Sequence, residues 1–217
     1  ITKHLRRMMA LEVTVNTPIP LIVCDYLLYY PFIDESVSDE QFMANTVAIP
    51  RYTDGAGVRM TAVVVAPHAV GTGTNFFVNY TNSAGVSGRT SATCSLNTRF
   101  VNGTIITSAQ ATATCFGPFI PLQSGDTGVC SIESVTMGGV LDVGLMTICL
   151  VKPLADLSIL ENTAPVEVDF VRDRPSSLPR VYDDAYLNFL GLMTANLANA
   201  DILGDAARER VGADVEP

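Results

Sequence analysis

The chain has 217 residues, of which 48% are hydrophobic and 16% charged, and its 22 acidic and 13 basic side chains leave a net charge of −9. That apolar content excludes intrinsic disorder, and the acidic balance argues against a nucleic-acid partner, whose phosphates call for Lys and Arg. Trp is absent, which removes the strongest anchor for a membrane interface or for sugar stacking.

From the N-terminus, ITKHLRRMMALEV has too few apolar residues before Glu12 to form a signal-peptide core. Segments 8–15 and 20–30 read as two strands, and 34–44 (DESVSDEQFMA) as a short helix or loop, with Ser38 and Gln41 in capping-box spacing. The middle of the chain then reads as strands at 56–66, 74–81, 86–97, 104–115, 128–137 and 143–151, dense in Val, Ile, Thr and aromatics. Within 74–81, Phe76, Val78 and Tyr80 alternate with Asn75, Phe77 and Asn79, the period of a half-buried strand. Turn chemistry separates the runs, notably Asp54-Gly55, Asn82 to Gly85, Asn102-Gly103 and Ser124-Gly125-Asp126. The most apolar stretch, 138–151, carries Asp142 and falls short of the roughly 20 residues of a membrane helix.

These features predict an all-β fold, an antiparallel β-sandwich or jelly-roll-like barrel, with extended N- and C-terminal arms and at most short helices near 36–44 and 185–198. The expected division is an N-terminal arm or edge strand at 1–18, a sandwich at 19–160 and an extended C-terminal arm at 161–217. Charge follows the same division. Residues 41–160 hold only five acids and five bases, so the surface of this region is expected to be coated in Thr, Ser and Asn or covered by neighbouring subunits. The arm is acidic and punctuated by Pro165, Pro175 and Pro179, which favours extended chain.

Catalytic signals are weak. Gly125-Asp126-Thr127-Gly128 has the Asp-Thr-Gly triplet of aspartic proteases, but a hairpin turn accounts for the same residues. His68 has no visible acid and nucleophile to work with, and the acidic pairs lack the spacing of a calcium loop. Cys24, Cys94, Cys115, Cys130 and Cys149 form no CxxC pair, so zinc is not expected. Buried thiols are the plain reading, with a Cys94–Cys115 bridge as the alternative. Asn79-Tyr80-Thr81 and Asn102-Gly103-Thr104 match the glycosylation sequon but read as strand and turn residues. No catalytic residue, cofactor or metal site is expected. The residues singled out are interface candidates. Arg51 and Arg59 are lone guanidinium groups suited to forking onto a carboxylate or carbonyl across an interface; Arg172 and Arg174 lie in the arm with Val166, Val168, Phe170, Tyr182, Tyr186 and Phe189.

Segments 49–60 (IPRYTDGAGVRM), 78–90 (VNYTNSAGVSGRT), 117–137 (GPFIPLQSGDTGVCSIESVTM), 149–159 (CLVKPLADLSI) and 164–192, about half the chain in all, resemble virion structural proteins of tailed bacteriophages. The resemblance lies in a Thr/Gly/Ala-rich β protein with long apolar arms and includes no active-site motif. It implies a non-enzymatic capsid decoration (cement) or minor capsid protein, present in many copies, stabilising the shell through arm-mediated contacts, located in the virion and assembled in the host bacterial cytoplasm. Its implied partners are other copies of itself and virion proteins such as the major capsid protein, with no nucleic acid and no membrane. A tail or baseplate component with a host-binding surface is the alternative.

Overall fold

Runs of β-branched and aromatic residues broken by Gly and Asn favour extended chain, and the chain is all-β with antiparallel sheets. A computed structural model describes residues 2–12, 18–67, 73–96, 102–103, 105–106, 117–141, 143–161, 163–173, 178–191 and 202–203. The elements in chain order are β1 (Lys3–His4), β2 (Arg7–Glu12), β3 (Ile19–Asp34), β4 (Gln41–Phe42), β5 (Arg59–Ala66), β6 (Thr74–Asn82), β7 (Arg89–Thr90), β8 (Cys94–Leu96), β9 (Ile105–Ile106), β10 (Val129–Met137), β11 (Leu145–Ile159), β12 (Val166–Asp169), α1 (Phe170–Asp173), β13 (Arg180–Val181), β14 (Leu187–Gly191) and β15 (Ile202–Leu203).

The chain forms two compact units: Tyr26–Lys152 is one, and Ile1–Asp25 with Pro153–Pro217 is the other. The inner unit, 26–152, has the sandwich pattern. One of its sheets orders β4-β10-β6-β7, with β8 also on β6; the other pairs β11 with β5 and β5 with β9. Phe76, Val78 and Tyr80 of β6 are fully buried, as their alternation predicts, and they share one core with Met60 of β5, Ile132 of β10 and Ile148 of β11. The expected strand at 86–97 is split into β7 and β8. Between them the Ser91 hydroxyl accepts a hydrogen bond from Val78 N at 3.0 Å, and Ser91 N donates to Val78 O at 2.9 Å. At 104–115 only β9 lies within the described residues.

No helix forms at 36–44. Ser36 N donates to Asp34 Oδ1 at 2.8 Å, an Asx turn. The Gln41 amide then takes both the N–H and the carbonyl of Asp34, each at 2.8 Å. Gln41 therefore spans the turn and starts β4, so of the short helix or loop expected at 34–44 the loop is what forms. The helix expected at 185–198 is strand β14 over its first part, and 192–198 lies outside the described residues.

The outer unit is made from both chain ends. β12 pairs with β2 (Val166↔Ala10), β13 with β1 (Lys3↔Val181), β14 with β3 (Phe189↔Val23) and β15 with β2 (Ile202↔Glu12). Phe170 begins the single-turn α1 and is 1% exposed, in a cluster with Met8, Ile19, Leu21 and Ile159. Asp169 caps that turn, its Oδ1 accepting from Val171 N at 3.0 Å and Arg172 N at 3.1 Å. The expected division lay at 1–18, 19–160 and 161–217; the two compact units are bounded at Asp25/Tyr26 and Lys152/Pro153. The physical reason is burial: the apolar residues of the C-terminal segment meet a core that the N-terminal strands help to build.

Candidate functional site

The densest polar cluster lies in the inner unit around Asp126, the acid of the Asp-Thr-Gly triplet. The turn before β10 is closed by Asp126 N donating to Gln123 O at 3.0 Å, with Gly125 at φ 91°, a conformation that favours glycine. That turn delivers the carboxylate to β6 and β7. Asp126 accepts from Tyr80 Oη at 2.6 Å, Asn82 Nδ2 at 2.7 Å and Arg89 Nε at 2.9 Å. Tyr80 Oη in turn accepts from Gln123 N at 2.8 Å, and Asn82 Oδ1 accepts from Ala84 N and Val86 N at 3.0 and 2.9 Å. The neighbouring Glu133 repeats the pattern, taking Thr81 Oγ1 at 2.7 Å and the backbone N–H of Gly88 at 3.0 Å.

The electrostatics follow from these bonds. The Arg89 guanidinium, helped by Tyr80 and Asn82, holds the Asp126 carboxyl down at about 2. Burial and the adjacent carboxylate push the Tyr80 phenol up to about 12. Asp126 therefore stays ionised and Tyr80 protonated across the neutral range. Aspartic-protease chemistry needs two carboxylates sharing a proton, with one of them raised. The arrangement around Asp126 does the reverse and ties a turn to two strands.

A second cluster surrounds Lys152, which the sequence did not single out. Its Nζ donates to Ala56 O at 2.6 Å and lies 5.3 Å from the Tyr52 ring centroid. Gly57, at φ 68°, leaves the room: a Cβ there would lie 2.5 Å from Nζ. Burial lowers the Lys152 pKa, against the pull of Asp54. A third links the sequon residue Asn79 to Ser134 and Glu40, with Ser134 Oγ donating to Glu40 Oε1 at 2.5 Å. Among the described residues no group of His, Cys, Asp and Glu is arranged to hold a metal ion. Burial raises the thiols of Cys24 to about 12 and Cys149 to about 11, and Cys94 Sγ donates to Ala92 O at 3.6 Å as a thiol. Cys115, His68 and Arg174 lie outside the described residues.

The interface candidates divide between the two units, Arg51 and Arg59 in the inner one and the rest in the outer one. Arg51 is 7% exposed and its Nη2 donates to Tyr26 O at 2.9 Å, so its fork closes within its own chain. Arg59 opens β5 opposite Val151. In the outer unit Val166, Val168 and Phe189 are partly buried against the local core, and Phe170 belongs to that core. Arg172 pairs with the adjacent Asp173 at 2.8 Å, and Tyr182 lies under the Arg180 guanidinium at 4.1 Å. Tyr186 alone of the aromatics proposed there is well exposed, at 67%, while its backbone N donates to the buried Asp25 at 2.9 Å. The sequence reading missed the exposed aromatics of the inner unit: Tyr29 at 71%, Phe32 at 69% and Phe42 at 79%. A usable signal was present in Pro31, which lies beyond the Leu21–Asp25 stretch that β14 pairs and denies that end of β3 a backbone donor. No known protein family, curated protein or solved structure matches this chain.

Proposed function

We propose that the chain is a non-enzymatic structural protein of a tailed-phage virion, a multi-copy capsid decoration or minor capsid protein. It works by contact with copies of itself and with neighbours such as the major capsid protein. One contrast carries this reading. The carboxylates and amides of the polar clusters bond within the chain, whereas Tyr29, Phe32, Phe42 and Tyr186 project into solvent. Large aromatics left outside a well-packed core are the groups that interfaces use as anchors. The sequence resemblance supplies the setting.

The contacts fall on exposed side chains more than on a free arm, because β12, β13 and β14 pair with β2, β1 and β3 of the same chain. The same aromatics favour one alternative, a tail or baseplate component with a host-binding surface. Densitometry of purified particles separates the two. Copies in simple ratio to the major capsid protein fit the shell, a few per particle fit the tail, and absence from particles overturns both.

A further inference from the structure

Two exposed aromatics of the inner unit, Phe32 and Phe42, lie on segments that hydrogen bonds tie together. The Gln41 amide bridges the backbone of Asp34, which places Phe42 on the segment bound to the end of β3, two residues beyond Phe32. Glu35 N donates to Gly144 O at 3.0 Å, and Glu35 O accepts from Leu141 N at 2.9 Å. Next to those two contacts Val140 and Val143 are also exposed. Phe32 sits at φ 62°, a region a bulky residue rarely adopts. Its neighbours Tyr30 and Ile33 are buried, and the alternation of β3 slips so that Phe32 faces outward. Pro31 removes a backbone donor from this end of β3, so an added strand is disfavoured and side chains are left to make the contact.

The turn that joins these side chains is acidic. The 34–40 turn that leads from Phe32 to Phe42 carries Asp34, Asp39 and Glu40 outside the core and no Lys or Arg, while Glu35 is buried. Two copies meeting through this turn would oppose like charges. The outer unit of a second copy is a poor match as well, with fourteen acidic and eight basic residues. Anionic lipid is disfavoured for the same reason. We propose that this turn of the inner unit, with Phe32 and Phe42 as anchors, docks a different protein through a basic surface that holds an apolar recess. The inference rests on the contact-protein reading above and names the chemistry of one partner.

The probe is a synthetic peptide of KKF repeats, with EEF repeats and oligolysine as controls, titrated against the full chain by fluorescence anisotropy. The KKF peptide is expected to bind at least about tenfold more tightly than either control. Phe32→Asn with Phe42→Ser should lose about tenfold; Asn tolerates the positive φ, and Phe42→Ser alone, at a well-exposed site, guards against misfolding. Asp39→Asn with Glu40→Gln should weaken binding and flatten its salt dependence, and Tyr186→Ser should leave it unchanged. Equal binding of oligolysine, or unchanged binding by both Phe variants, overturns the proposal. Self-association abolished by the Phe variants would assign the surface to a second copy, and Phe-dependent binding to phosphatidylcholine vesicles would assign it to a membrane; either result overturns the proposal. Particle incorporation is scored separately. If the double Phe variant no longer differs from wild type with the peptide yet incorporates normally, the docking surface fails and the building-block reading stands.

Discussion

The two units reach a β core by opposite routes. The inner unit is one continuous segment whose strand partners lie from 9 residues apart, Tyr80 with Arg89, to 92 apart, Arg59 with Val151. The outer unit joins strands from the two ends of the chain in pairs of two to five residues: β1–β13, β2–β12, β2–β15 and β3–β14. Each of those pairs closes a loop well over a hundred residues long, at an entropic cost that short ladders offset poorly. The inner unit lies within that loop, so its folding shortens the effective separation. The outer unit is therefore expected to be the less stable and later-forming of the two.

The largest effect comes from removing residues 161–217. This deletes β12, α1, β13, β14 and β15, and with them Phe170. Hydrogen exchange should show residues 3–12 unprotected while 74–82 and 129–137 keep their protection. Retained protection at 3–12 would break the comparison. Next in size, Phe170→Ala should cost about 3–5 kcal/mol and lower the first of two denaturant transitions, whereas Phe76→Ala should lower the second by a similar amount. A single transition shifted by both would mean that the units unfold as one.

A smaller effect concerns pH. Asp126 lies at about 2 in the folded chain against an ordinary 3.8, so its contribution is complete above 3.8 and is lost as pH falls toward 2. The melting temperature of the inner unit should drop over that window, and Asp126→Asn should lower it at neutral pH and flatten the acid limb. A variant melting like wild type at pH 7 would remove Asp126 as a turn anchor. Smallest is the thiol readout. At pH 8 the peptides containing Cys24 and Cys149 should resist alkylation in the native chain and label only in denaturant. Because Cys24 belongs to the outer unit and Cys149 to the inner one, earlier labelling of Cys24 as denaturant rises would sharpen the comparison.

The inner unit was legible wherever one face of a strand meets the core. Phe76, Val78 and Tyr80 announce their burial by alternation, and Gly125 announces its turn. The outer unit was not, because nothing in VEVD specifies that β2, more than 150 residues away, is its partner. The lone Arg residues divide the lesson. Their chemistry was readable as forks onto carboxylates or carbonyls, and Arg89 takes Asp126 while Arg51 takes Tyr26 O. Their partners were not: Arg51, read as an interface candidate, reaches a carbonyl of its own chain. The exposed aromatics escaped because a strand-like run hides the slip in alternation that turns Phe32 outward.

Closure of the outer unit by both chain ends has a mechanical consequence. A pull applied at the two termini loads β1–β13, β2–β12 and β3–β14 before it reaches the inner unit, whose connections run within β3 and β11. Short ladders yield first, so the outer unit acts as a fuse. Stretched between its ends, the chain should lengthen in two steps, releasing its N- and C-terminal segments while the inner core stays folded.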